Sequence, residues 1–209
     1  MTNGVPIGIK IAGGNIENDL KIVVKVDPEV IVVDGGEGGT GAAPTIAKDH
    51  AGLPLPFILP RVINYLKKRK VRDRYTLIAA GGLKGPEDFV KALALGADAV
   101  YSSGYFKFAL GCVYCRSCES GKCPTGITTQ DPALRKRLNV DERSKHVENL
   151  LKISTHEIAK ICRLTGCNDV NKLDFSYMRS LNSETAEITG VPLANKVDPN
   201  LEPSSRVKF

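Results

Sequence analysis

The chain has 209 residues, 29 Lys and Arg against 23 Asp and Glu, and a formal net charge of +6. Hydrophobic residues make up 42% and charged residues 25%, which excludes wholesale disorder. At this size roughly 70% of the surface can be buried if the topology is complete. No apolar run approaches the roughly 20 residues of a membrane span. The start, MTNGVPIGIK, lacks the basic and apolar regions of a secretory signal. A cytoplasmic protein with no membrane association is expected. The basic runs Lys67-Lys68-Arg69-Lys70 and Arg135-Lys136-Arg137 are short and have few aromatics among them. They read as solvated helix surfaces, with no nucleic-acid partner.

The first hundred residues repeat one theme. Apolar, β-branched runs at Ile7–Ala12, Val30–Asp34, Thr76–Ala80 and Asp98–Ser102 end in or near glycines, and helical patterns follow. Near-continuous apolar strands are what a parallel sheet covered on both faces requires. The intervening helices are expected at Asn18–Val26, Arg61–Lys70 and Pro86–Leu95, the last with Pro near N1 and Gly96 as a stop. The order βαβαβαβ predicts an α/β fold with parallel strands. The insertion holding Pro44, Pro54, Pro56 and Pro60 reads as a functional loop.

Beyond residue 110 the character changes. A Cys/Gly/Pro loop covers residues 111–126, and a helical extension covers 127–194. Its long helix is expected at Ser144–Thr165, with Val147, Leu150, Leu151, Ser154, Ile158, Ile161 and Cys162 on one face and Gly166 at C′. Residues 195–209 read as a mobile tail.

Four features carry chemistry. Glycines at Gly81-Gly82 and Gly104 follow consecutive strands, where parallel sheets bind ligands and bare amides can approach a phosphate. The run Asp34-Gly-Gly-Glu37-Gly-Gly-Thr40-Gly41 holds five glycines in eight residues, costly in entropy unless a ligand or close packing needs them. Lys10 sits inside an apolar strand and needs a partner or a role. The cysteines form Cys112-x2-Cys115-x2-Cys118-x4-Cys123-Pro124. Such spacing suits an iron–sulfur cluster, with zinc as the rival. Cys162 and Cys167 read as small buried apolar residues.

Taken together, these segments resemble the FMN-binding synthase domain of glutamate synthase. The resemblance rests on Ile7-Gly-Ile-Lys10, Asp34 through Pro44, His50-Ala-Gly52, Gly81-Gly-Leu-Lys84, Gly111-Cys112, Cys118, Cys123-Pro124 and Thr129-Gln-Asp-Pro132, in family order over about residues 5–165. It implies the C-terminal half of a TIM-type (β/α)8 barrel, about four β/α units over residues 1–110, with the iron–sulfur loop and helical extension appended. It also implies FMN, and an iron–sulfur cluster relaying electrons to it, for reducing 2-iminoglutarate, made from 2-oxoglutarate and ammonia, to glutamate. By position, Gly81, Gly82, Gly104 and Tyr105 would cradle the FMN phosphate, with Asp34, Gly35 and Gly36 also bordering the cofactor. Lys10 would lie near the flavin or the substrate carboxylate, and Glu37, in the loop bordering the substrate pocket, is a second catalytic candidate. Gly38, Gly39 and Thr40 would border the substrate. Cys112, Cys118 and Cys123 match the ligands of a [3Fe–4S] cluster, and Cys115 offers a fourth ligand for [4Fe–4S]. Glu37 stands where the family usually has Asp.

Only four strands are legible, so the first half-barrel must come from a partner chain or from self-association, unless the chain is a fragment. The implied partners are an electron donor, either ferredoxin or an NAD(P)H-oxidising subunit, and a glutaminase subunit. The alternative function is a non-catalytic iron–sulfur or zinc-binding electron-transfer subunit.

Overall fold

The computed structural model describes residues 4–36, 41 and 43–196. Four strands, β1 (Gly8–Ala12), β2 (Val30–Asp34), β3 (Thr76–Ala80) and β4 (Ala99–Tyr101), form one sheet in sequence order. All neighbouring pairs are parallel. The register aligns Ala12 with Asp34, Asp34 with Ala80 and Ala80 with Tyr101. The carboxyl ends of all four strands therefore lie in one row, which becomes the rim of the site.

The pleat sorts the side chains. Ile31, Val33, Leu77 and Ala79 face the helix layer and join α1 (Ile16–Val26) and α3 (Leu55–Lys68) in the main core. Ile16, Leu20, Ile58, Leu59, Val62 and Leu66 fill it and are fully buried. Val32, Ile78 and Ala80 form a smaller cluster on the opposite, inner face. This is a partial barrel of four parallel strands, with β1 and β4 as its edges. Ile58→Ala is expected to destabilise the chain by about 2–5 kcal/mol, read as a lower urea midpoint, because a fully buried side chain leaves a cavity.

The proline-rich insertion folds as two helices, α2 (Thr45–His50) and α3, rather than as a loop with a helix beginning at Arg61. Pro44 and Pro54 are N-cap residues and Pro56 lies in the first turn, where a missing N–H costs nothing. Pro60 falls inside α3 but is buried, so packing outweighs the lost hydrogen bond.

The helices α4 (Pro86–Ala94) and α5 (Ser103–Ala109) follow β3 and β4. The short α6 (Pro132–Arg135) precedes α7 (Val140–Leu164), which packs on α4 and α5. α7 starts four residues before the expected position. Asn139 caps it by accepting from the Glu142 N–H at 3.3 Å, and Gly166 does follow in the left-handed region at φ 75°. Leu151, expected on the packed face, is exposed, whereas Ser154 and Cys162 are buried. Cys162 and Cys167 join Val90, Ala94 and Leu173 in a second core, as small apolar residues should, and burial pushes the Cys162 thiol up. α8 (Ser183–Thr189) packs on α3. Most of the expected tail, residues 197–209, lies outside the described residues.

Candidate cofactor-binding site

The rim begins at β1 and β2. Lys10 Nζ lies 2.9 Å from Asp34 Oδ2, with the lysine side chain 48% exposed and the aspartate 11% exposed. Lys10 is therefore not a buried strand lysine. It stands on the edge strand β1, half open to solvent, and neutralises a nearly buried carboxylate. The pairing leaves the ammonium able to face a ligand, because an ammonium carries three donors.

Next to this pair, strand ends meet at backbone distance. Gly81 has φ 89°, and a Cβ there would stand 2.4 Å from Gly35 N and 2.8 Å from Asp34 Oδ1. Only glycine lets the two loops touch. Gly82 is also left-handed, at φ 71°. The amides of Gly35 and Gly36 donate to Ala80 O (2.7 Å) and Leu53 O (2.8 Å). These two amides hold the protein's own chain, and a Cβ at Gly35 or Gly36 would strike residues 52–55. Close packing thus explains part of the glycine run. The other proposed members, Glu37, Gly38, Gly39 and Thr40, lie outside the described residues.

The loops after β3 and β4 are tied together, since Ser102 Oγ donates to Leu83 O at 2.8 Å. Among the described residues, nothing accepts the main-chain N–H groups of Ser103, Gly104 and Tyr105. A Cβ at Gly104 would meet nothing within 4 Å. Free amides beside open space, at the start of a helix, fit a phosphate. The side chain of Tyr105 does not face this space. Its ring packs edge-on to Phe89, and its hydroxyl lies 3.0 Å from Ser154 Oγ. Tyr105 can serve the site only through its main chain. Ser103, which the glycine pattern did not single out, offers an equivalent amide.

The cysteine loop lies beyond α5. Cys123 is buried, Cys112 and Cys118 are half-buried, and Cys115 is exposed. Tyr114 N–H donates to Cys112 Sγ at 3.4 Å, and the Thr125 hydroxyl lies 3.3 Å from Cys123 Sγ. Burial raises the Cys123 thiol. Hydrogen bonds from the Thr125 hydroxyl and main chain, and from the main chain of Thr128, outweigh burial and hold the thiol at about 6. Thr128 Oγ1 is buried and has no hydrogen-bond partner among the described residues. Tyr114 and Arg116, neither of them glycine, both occupy the left-handed region, at φ 54° and 61°. Such strain marks a loop shaped for something other than its own stability. Hydrogen-bonded, thiolate-prone sulfurs fit a soft metal centre. Among the described residues, no three His, Cys, Asp or Glu side chains gather as a single metal ion requires. A cluster spreads its thiolates more widely, because iron and sulfide stand between them.

The low Cys123 value predicts a pH effect in the iron-free chain. The folded state favours the thiolate, so this stabilisation is complete above about pH 9 and is lost as pH falls through about 6. A thermal midpoint that rises over this window, and a Cys123→Ala variant without that part of the rise, would bear this out.

The motif Thr129-Gln-Asp-Pro132 has a local role. Asp131 Oδ1 accepts from the Ala133 N–H at 2.7 Å and caps α6, while Thr129 Oγ1 accepts from the Asp131 N–H at 3.1 Å.

Comparison with known families decides the relationship. The model of the conserved region in glutamate synthase matches residues 1–168. The chain belongs to the glutamate synthase family. Among its relatives, an archaeal-type glutamate synthase [NADPH] of Thermotoga neapolitana is 41% identical over 169 residues, covering 80% of this chain and 33% of the relative. An archaeal glutamate synthase [NADPH] of Methanocaldococcus jannaschii is 37% identical, covering 91% of this chain and 38% of the relative. A glutamate synthase large subunit-like protein of Rhizobium meliloti is 32% identical, covering 90% and 46%. The chain thus spans less than half the length of these relatives. Among solved structures, a flavocytochrome b2 variant with pyruvate bound matches at TM-score 0.58 and 18% identity, covering 99% of this chain and 43% of that one. The flavin-binding domain of baker's yeast flavocytochrome b2 matches at TM-score 0.51 and 20% identity, covering 83% and 35%. These two likenesses support the fold alone. No helix among the described residues is long and apolar enough to cross a membrane.

Proposed function

We propose that the chain is the FMN- and substrate-binding half-barrel of a glutamate-synthase-type oxidoreductase, forming glutamate from 2-oxoglutarate and ammonia by way of 2-iminoglutarate. One observation carries this reading. The Lys10–Asp34 pair and the open amides of residues 103–105 lie toward the carboxyl ends of the same four-stranded partial barrel, which supports a shared cofactor and substrate rim. When bound, FMN would supply the hydride chemistry, and an iron–sulfur cluster would deliver its electrons one at a time.

The chain's own residues have distinct tasks in this reading. The amides of Ser103, Gly104 and Tyr105, with the Gly81-Gly82 turn, hold the FMN phosphate. The Lys10 ammonium attracts an anionic ligand, either the substrate carboxylate or the electron-rich edge of the flavin. Asp34 holds that ammonium in place. Gly38, Gly39 and Thr40 are assigned to substrate binding and Glu37 to catalysis by the family resemblance alone. Cys112, Cys118 and Cys123 ligate a [3Fe–4S] cluster, and Cys115 is spare. Lys10→Gln is expected to raise the KM for 2-oxoglutarate about tenfold, the effect of losing one charge-assisted hydrogen bond, with flavin content unchanged.

The sheet edges at β1 and β4 give this proposal its partner: a chain supplying the other strands, or a second copy. The archaeal-type glutamate synthase [NADPH] relatives favour NADPH as the final reductant, reached through an NADPH-oxidising subunit or ferredoxin, and a glutaminase subunit or free ammonia supplies nitrogen. The reaction belongs in the cytoplasm. The test is anaerobic purification of the chain alone and together with a candidate first-half chain, with iron, sulfide, zinc and flavin measured in both. A flavin band near about 450 nm with iron and sulfide in the joint preparation is the expected result. Zinc without flavin in both preparations would overturn the reading and leave a metal-stabilised interaction module.

A further inference from the structure

Two ion pairs join α2 to the cysteine loop. Arg116 Nη2 pairs with Asp49 Oδ1, and Lys48 Nζ lies 3.3 Å from Glu119 Oε2. Both span about seventy residues of sequence, 67 and 71. A third contact lies beside them. A Cβ at Gly41 would stand only 3.2 Å from Cys118 Cβ, so the segment before α2 also touches a proposed cluster ligand. A single exposed ion pair is weak and often accidental. Three features set this pairing apart. Two pairs with opposite polarity join the same two elements. The Lys48 side chain is only 11% exposed. Arg116 adopts the unfavourable left-handed conformation while making its pair.

α2 has little else to fix it. It is six residues long, has no side-chain cap hydrogen bond and contains no buried residue. A helix this short is not stable by itself, so its order depends on what it leans against.

We propose that Asp49 and Arg116, with Lys48 and Glu119, form a brace that couples α2 to the iron–sulfur loop, so that cluster loading and the order of α2 stabilise each other. The inference rests on the cluster assignment above. Loading ties Cys112, Cys118 and Cys123 to one inorganic core and so fixes the backbone that carries Arg116 and Glu119. Fixed partners hold α2 better than mobile ones do, because the loop's ordering entropy has already been lost. Coupling of this kind is reciprocal, so whatever loosens α2 also loosens the cluster. The four residues are positioning residues. They act by setting where α2 stands relative to the cysteine loop.

The experiment uses the full chain with its cluster assembled anaerobically from iron and sulfide. Hydrogen exchange of residues 45–50 is compared between loaded and iron-free protein, a measurement that needs no variant. Iron loss to a ferrous chelator is then timed for the wild type, Asp49→Asn, Arg116→Gln and the charge-swapped pair Asp49→Arg with Arg116→Asp. Loaded protein is expected to exchange more slowly at α2. Each single variant is expected to lose iron about three to ten times faster, the range open to exposed pairs acting together, and the swapped pair is expected to recover most of the difference. Equal exchange in both forms, or iron loss indifferent to the variants, would overturn the brace while leaving the cluster assignment intact. Wild-type protein that assembles no cluster would overturn both.

Discussion

A Gly104→Val protein is expected to fold as the wild type does and to bind FMN at least about 100-fold more weakly, a loss of some 2.7 kcal/mol or more. The two halves of this expectation have separate causes. Folding is spared because Gly104 is the second residue of α5, and a Cβ there meets nothing within 4 Å. A helix interior tolerates Val better than Gly. Binding is lost because the open space is where a phosphate must approach the amides of residues 103–105, and the branched side chain fills it. Gly81→Val serves as the contrast. Its Cβ would stand 2.4 Å from Gly35 N and 2.5 Å from Gly35 O, and its φ of 89° is one that β-branched residues avoid. That variant should lose stability and flavin together. Fluorescence titration of FMN, paired with thermal melts, separates the cases. If Gly104→Val binds FMN as the wild type does, the phosphate does not sit at α5.

The contrast bears on how much of the molecule its sequence announces. Strands β2 and β3 begin and end where their apolar runs do, because a strand covered on both faces is apolar along most of its length. The edge strands are less clear. β4 is two residues shorter than its apolar run and β1 one residue shorter, since an edge loses one of its two ladders. Lys10 misled for the same reason. An apolar neighbourhood suggests burial, but an edge strand leaves alternate side chains open, and the pattern Ile9-Lys10-Ile11 is that of a half-covered strand. The prolines between β2 and β3 misled by type. Three of the four sit at helix starts, where the ring fits and the lost N–H is unneeded. The glycines announced the rim but not their separate tasks. Gly35 and Gly36 serve chain packing, Gly81 serves the meeting of two loops, and Gly104 serves open space. Those tasks differ only in what a Cβ would strike, which is a tertiary property. The ion pairs between α2 and the cysteine loop were illegible in sequence, because no local pattern links Asp49 with Arg116.

The cysteines yield the other large effect. Cys123→Ser is expected to remove the iron–sulfur cluster and, with it, all flavin reduction by the external donor, whereas Cys115→Ser is expected to keep both. The sulfurs differ in setting although their spacing is regular. Cys123 is buried and held as a thiolate down to about pH 6, burial notwithstanding, by Thr125 and Thr128. Ligation requires the thiolate, so this position is prepared for it. A serine hydroxyl stays protonated and is a hard donor where a soft one is needed. Cys115 is fully exposed, and its sulfur lies 3.2 Å from the hydroxyl of Ser117. That hydrogen bond lowers its thiol, but the sulfur stands open to solvent. Cys112 and Cys118, half-buried, should behave as Cys123 does. Iron and sulfide content, with the visible spectrum, reads each variant directly, and flavin content serves as the control for folding. FMN should remain in Cys123→Ser, because the amides of α5 do not depend on the loop. Loss of iron from Cys115→Ser would make it the fourth ligand of a [4Fe–4S] cluster. Full iron in Cys123→Ser would remove the cluster from this loop altogether, and the brace between α2 and residues 116–119 would then be a purely structural contact.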